Sequence, residues 1–157
     1  MLPVIGPFAP WADPTVVQIG RLPAHTPLRG FRRRSLDGTF RVEMFESPGL
    51  VPASAITGSR RRAVDVAVPG NWTMQELGGF DDLPHYTNVQ MPFDGPPPEL
   101  PDRNPTAVYR RSFEVPTSWT AGRVVLGVEG AESVHAVYVN GAFVGYAPTV
   151  GSRASTT

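Results

Sequence analysis

VHAVYVNGAFVGY, residues 134–146, is the stretch whose reading decides the fold. Two apolar runs flank Asn140-Gly141, a pair that tolerates the two positive φ angles of a type I′ turn, so a β-hairpin is expected over residues 134–139 and 142–146. Working outward, the neighbouring pieces carry the same signature. Residues 38–46 (GTFRVEMFE) place Phe40, Val42 and Met44 on one face, and residues 107–115 do the same for Tyr109, Phe113 and Val115. Residues 62–68 and 123–128 complete an expected set of six strands. Helix is a minor component, because 18 Pro and 16 Gly cut the chain before apolar spacing at i, i+3, i+4 and i+7 can be sustained. Short antiparallel strands joined by turns predict an all-β sandwich or jelly roll. The stretch 69–105, rich in Pro, Gly and Asp, is too long for a passive connection, so it is expected to be functional or to pack across the sandwich.

Size and charge narrow the functional classes. The 157 residues, 41% of them hydrophobic, suffice for one ordinary domain. Fourteen basic residues, all Arg, balance fourteen acidic ones, so no long-range field gathers nucleic acid or an anionic membrane, and neither is expected as a partner. The absence of Cys excludes disulfides, thiolate metal sites and a cysteine nucleophile. The opening MLPVIGPFAPWADP is interrupted by Pro and Gly where a secretory leader needs an unbroken apolar core, and no run of eighteen apolar residues occurs. A cytoplasmic location is expected.

The chain shows little of the chemistry that catalysis needs. It has no G-x-S-x-G elbow, and His25, His85 and His135 are isolated where a zinc or iron site would pair them. GVEGAES has neither phosphate-loop spacing nor a Lys-Ser/Thr pair. The runs at Arg32–Arg34 and Arg60–Arg62 lack interleaved aromatics and read as solvated strand flanks. A glycosidase needs two carboxylates facing each other about 5 to 9.5 Å apart. The acidic residues Asp81, Asp82, Asp94, Glu99 and Asp102 all lie in the long loop, where Asp commonly forms turns, and none is assigned as catalytic. The same loop sets aromatic and amide side chains together, in GNW at 70–72 and YTN at 86–88. A ring can cover the apolar face of a pyranose while an amide serves vicinal hydroxyls.

Six ordered fragments resemble a known family. DPTVVQIGRLPAHTPL (13–28), RSLDGTFRVEMFESP (34–48), VPGNWTMQ (68–75), HYTNVQMPF (85–93), PPPELPDRNPTAVYRRSFEVPTSW (96–119) and NGAFVGY (140–146) are similar to the amino-terminal sugar-binding domain of glycoside hydrolase family 2 β-galactosidases. The resemblance implies a jelly-roll, galactose-binding-like β-sandwich beside a (β/α)₈ barrel that hydrolyses terminal β-galactosides with retention, through two Glu of the barrel. On that basis residues 1–33 form an extended N-terminal segment and 34–157 a partial sugar-binding sandwich, incomplete at its C-terminus, since a jelly roll needs about eight strands. No catalytic residue is expected within the chain.

The Asn of the family's YTNV motif maps onto Asn88, which is expected to hydrogen-bond the hydroxyls of a galactoside. Tyr86 and Trp72 are expected to hold that loop. The family's enzymes use Mg and Na, but the acidic position of a D-S-R-L-P motif is Gly151 here, so no metal or other cofactor is expected in this chain. The expected partners are a galactoside sugar and the remainder of a β-galactosidase chain or its subunits. The expected function is that of the sugar-binding fragment of such an enzyme, inactive alone. The alternatives are a free-standing galactoside-binding module and an assembly fragment completing a separately encoded barrel.

Overall fold

The computed structural model describes residues 9–22, 32–58, 62–85, 93, 95–96, 98–147 and, for the backbone, 153–155. It contains strands β1 (Gly38–Phe45), β2 (Val64–Val68), β3 (Thr106–Arg110), β4 (Val125–Gly127), β5 (His135–Val139), β6 (Ala142–Ala147) and β7 (Arg153–Ser155). One five-residue helix, α1 (Ala53–Thr57), and a few 3₁₀ turns accompany them. Every strand pairing is antiparallel, and the fold is all-β of the sandwich class, as the alternation in the sequence predicts. The chain divides into two compact units, one spanning residues 35–113 and the other built from 4–34 and 114–157.

In the first unit the strands lie in the order β2-β1-β3. Val42 stands opposite Val64 and Phe40 opposite Val66, so the apolar residues of the two strands share one face. Val42 and Val66 are fully buried with Leu77, and Phe40, Met44, Val64, Trp72, Phe80 and Ala107 pack around them. Three of these, Trp72, Leu77 and Phe80, belong to the long stretch that begins at Pro69, which therefore supplies part of the core's cover. The other face carries Arg41, Glu43, Val108 and Arg110. Here Arg110 Nη2 donates to the Ala55 carbonyl and ties α1 to the sheet.

The strand expected over 107–115 ends instead at Arg110. The ladder to β1 stops at Arg41↔Arg110, although β1 itself continues to Gly38, where φ is +127°. The Arg111 guanidinium lies 2.8 Å from where a Gly38 Cβ would stand, space that only glycine leaves open. A further departure is β7, which pairs with β4 through Val125↔Ser155 and Gly127↔Arg153. Three residues are too few for a periodicity to announce a strand.

In the second unit the hairpin forms as expected. Asn140 and Gly141 have φ of 51° and 82°, the two positive values of a type I′ turn. The ladder runs from Val139↔Ala142 to His135↔Ala147, with an irregularity at Val137/Tyr138 that leaves Val144 without a partner of its own. Tyr138 and Phe143 meet edge to face at 5.5 Å across the ladder. The N-terminal segment adds to β6: Ile19 N–H donates to the Tyr146 carbonyl at 3.0 Å, and Tyr146 N–H returns a bond to Ile19 at 2.9 Å. Beside it, Gly20 has φ +64°, and a Cβ there would lie 2.5 Å from the Val144 carbonyl oxygen. The Tyr146 hydroxyl donates to the Pro10 carbonyl at 3.2 Å and fastens the same segment a second time.

Candidate functional site

The motif VPGNWTMQ, 68–75, folds as a clasp on the edge of the three-stranded sheet. The Asn71 side chain accepts from Thr73 N–H at 3.2 Å and from the Thr73 hydroxyl at 3.0 Å, which starts the 3₁₀ turn Trp72–Met74. That turn brings Gln75 back over β2. Its Oε1 accepts from Ala67 N–H at 2.7 Å, and its Nε2 donates to the Ala67 carbonyl at 3.1 Å and to that of Asn71 at 3.4 Å. Because β2 is the end strand of its sheet, the amide takes the place a neighbouring backbone would have occupied. Gly70 makes the approach possible: a Cβ on it would stand 2.7 Å from Gln75 Nε2 and 2.8 Å from the Ala67 oxygen.

Trp72 emerges from the same turn with its ring stacked on Tyr109, centroids 6.3 Å apart at 26°, and Tyr109 meets Phe40 edge-on at 6.2 Å. The indole Nε1 donates to Asp82 Oδ2 at 2.5 Å, which anchors the following residues. Burial against these rings pushes the Tyr109 phenol above its ordinary value. Arg103 secures the next turn of the loop. Its Nε donates to Glu46 Oε2 at 2.7 Å, its Nη2 to the Asp81 carbonyl, and its guanidinium lies 5.3 Å from the centre of the Phe80 ring. Further along, the rings of His85 and Phe93 are 6.1 Å apart.

Of the three residues singled out from the sequence, Trp72 therefore stands at the root of the loop, bonded to Asp82 and packed on the core. Asn88 and Tyr86 lie outside the described residues, as do Asp94 and Gly151. Asp82 Oδ2 accepts a hydrogen bond from the indole N–H and the Asp81 carbonyl accepts one from Arg103, so both serve the loop's own structure. Among the described residues no group of three His, Asp or Glu is arranged to hold a metal, and no helix is long and apolar enough to cross a membrane. In the first Arg run, Arg33 pairs with Glu129 at 3.5 Å and Arg34 donates to the Glu114 carbonyl at 2.8 Å; both side chains are exposed, as a strand flank would be. The sequence reading missed Gln75 and Arg103. Gln75 sits in the most distinctive fragment, and Arg103 follows an acidic, Pro-rich run; those are the signals that could have flagged them.

An antiparallel all-β domain with a long loop fastened across one sheet defines the class. Comparison with known families then places it: residues 33–156 match the model of the glycosyl hydrolases family 2 sugar binding domain, and the chain belongs to that family. It is 36% identical to a β-galactosidase of Aeromonas hydrophila over 87% of its length. It is also 36% identical to one of Erwinia tasmaniensis over the same share, and 33% identical to one of Yersinia pestis over 92%. The chain spans about 15% of the length of these curated relatives.

Proposed function

We propose that the chain acts as the sugar-binding portion of a β-galactosidase, and that hydrolysis of terminal β-galactosides requires the larger part of such an enzyme. The observation that carries this reading is the family match over residues 33–156, joined to relatives that are β-galactosidases and several times longer. Within the chain, Asn88 is the residue we assign to the sugar hydroxyls, with Tyr86 and Trp72 holding its loop. The clasp supports this division of labour: Trp72, Asp82, Gln75 and Arg103 are spent on fastening the segment 69–82 to the sheet. A loop anchored at its root presents its tip at low entropic cost on binding.

Calorimetry with galactose on the chain and on Asn88→Ala tests the assignment, with binding heat expected for the first and lost in the second. Equal heats would remove Asn88 from the site. A chromogenic β-galactoside should not be turned over by the chain alone; saturable turnover sensitive to a galactosidase inhibitor would overturn that part of the reading.

A further inference from the structure

The long stretch that begins at Pro69 divides its apolar side chains between the core and water. Trp72, Leu77 and Phe80 turn inward and cover the core of the first unit. Met74 and Leu83 do the opposite: at 75% and 69% exposure they are the two most exposed large apolar side chains among the described residues, and Phe93 and Leu100 follow at 46% each. All four belong to the first unit. A segment that only connected strands across a surface would gain nothing from large apolar groups left in water.

The loop's own bonds draw together the segments that carry these side chains. Trp72 Nε1 donates to Asp82 Oδ2 at 2.5 Å, which sets the turn containing Met74 against the residues that lead to Leu83. Arg103 donates to the Asp81 carbonyl and to Glu46, which brings the far end of the loop, with Leu100, back to the same root. The ring of Phe93 lies 6.1 Å from that of His85, two residues beyond Leu83. Between Phe93 and Leu100, Glu99 N–H donates to the Pro96 carbonyl at 3.0 Å and closes a further turn. The exposed residues Glu99 and Asp102 flank Leu100, so apolar groups alternate with charge as at the margin of a contact surface. Large apolar side chains exposed on one bonded segment mark such a surface. The proportions of the relatives indicate what covers it, since the chain spans about 15% of their length and most of their polypeptide lies beyond the matched stretch.

We propose that Met74, Leu83, Phe93 and Leu100 form the surface on which this sugar-binding portion docks against the larger part of a β-galactosidase, whose own apolar face covers them. The inference rests on the reading of the chain as one portion of such an enzyme, and adds where the two portions meet. The bonds of Trp72 and Arg103 hold the surface ready, so that little ordering is left to the moment of contact.

The test sets the chain into the Aeromonas hydrophila β-galactosidase in place of the stretch it matches, and treats this chimera and the isolated chain with dilute hydrogen peroxide. Peptide mass spectrometry reads sulfoxide formation at Met74 and, as the reference, at Met44, which packs on the core of the first unit. Oxidation follows exposure, so Met74 should react about tenfold or more slowly in the chimera than in the isolated chain, with Met44 slow in both. A second measurement uses the paired change Leu83→Gln with Leu100→Gln. It should leave the melting of the isolated chain unaltered, because both side chains already stand in water there, and shorten the half-life of galactosidase activity in the heated chimera several-fold. An active chimera in which either Met74 reacts as fast as in the isolated chain or the paired variant keeps its full half-life would overturn the proposal. So would a dimer of the isolated chain, seen by sedimentation, that the paired variant abolishes, because the surface would then serve a second copy. A chimera without activity would instead remove the β-galactosidase reading on which the inference rests.

Discussion

Replacing Gln75 by Ala tests whether a side-chain amide really closes the edge of the sheet. The substitution removes both bonds to Ala67, at 2.7 and 3.1 Å, and the longer one to Asn71 at 3.4 Å. At roughly 0.5 to 1.5 kcal/mol net for each of the two good bonds, the loss is about 1 to 3 kcal/mol, provided water does not reach the freed Ala67 groups as readily as the amide did. For a chain of this size that is roughly 4 to 8 °C in melting temperature at the middle of the range. Equilibrium urea unfolding, followed by tryptophan fluorescence, measures it. Gly70→Ala supplies the companion perturbation, because its new Cβ would stand 2.7 Å from Gln75 Nε2 and 2.8 Å from the Ala67 oxygen. The two changes share a mechanism, so the double variant should lose less than the sum of the singles, leaving a remainder from the Ala67 contact. A loss below about 0.5 kcal/mol for Gln75→Ala, the range of an ordinary surface change, would refute the surrogate-strand account; so would strict additivity with Gly70→Ala.

Three further outcomes are expected. Val66→Ala, at a fully buried position between Val42 and Leu77, should cost about 1 to 3 kcal/mol in urea unfolding, whereas Val17→Ala at 64% exposure should stay within about 0.5 kcal/mol. Trp72→Phe keeps a ring on Tyr109 but leaves Asp82 without its donor, so thermal melting should reveal a loss of about 1 to 2 kcal/mol. His135 titrates below its ordinary 6.5, chiefly through burial and then through the charge of Arg21. The unfolded chain therefore takes up that proton first, and stability should fall as pH drops below about 6.5 until the folded histidine also titrates. His135→Gln should flatten that part of the urea-midpoint profile, and an unchanged slope would count against the assignment.

Local pattern carried the strands, and long-range pairing decided what the pattern could not reach. Asn140-Gly141 announced its turn because both positive φ angles belong to adjacent residues, and Phe40, Val42 and Met44 announced a buried face through their spacing. The end of β3 was illegible, since it depends on where the ladder to β1 stops, at the pairing of Arg110 with Arg41, 69 positions earlier. Gln75 was illegible for a related reason: an amide standing in for a strand becomes visible only once the edge it covers is known. Likewise, nothing in YRRSF reveals that Arg110 faces Arg41; register alone does that. The roles assigned to Trp72, Tyr86 and Asn88 rest on family resemblance; what the fold adds is that Trp72 bonds Asp82 and packs on the core.

The bridge between Ile19 and Tyr146 also sets a timetable. A ribosome extends a chain by about 5 to 20 residues per second, so roughly 6 to 25 s separate the appearance of these two partners. Throughout that interval the segment around Ile19 has no edge to join, while β1, β2 and β3 can already pair among themselves. The segment around Ile19 is thus made before the sheet of β1, β2 and β3 but docks after it, waiting on the hairpin whose turn was the plainest feature of the sequence.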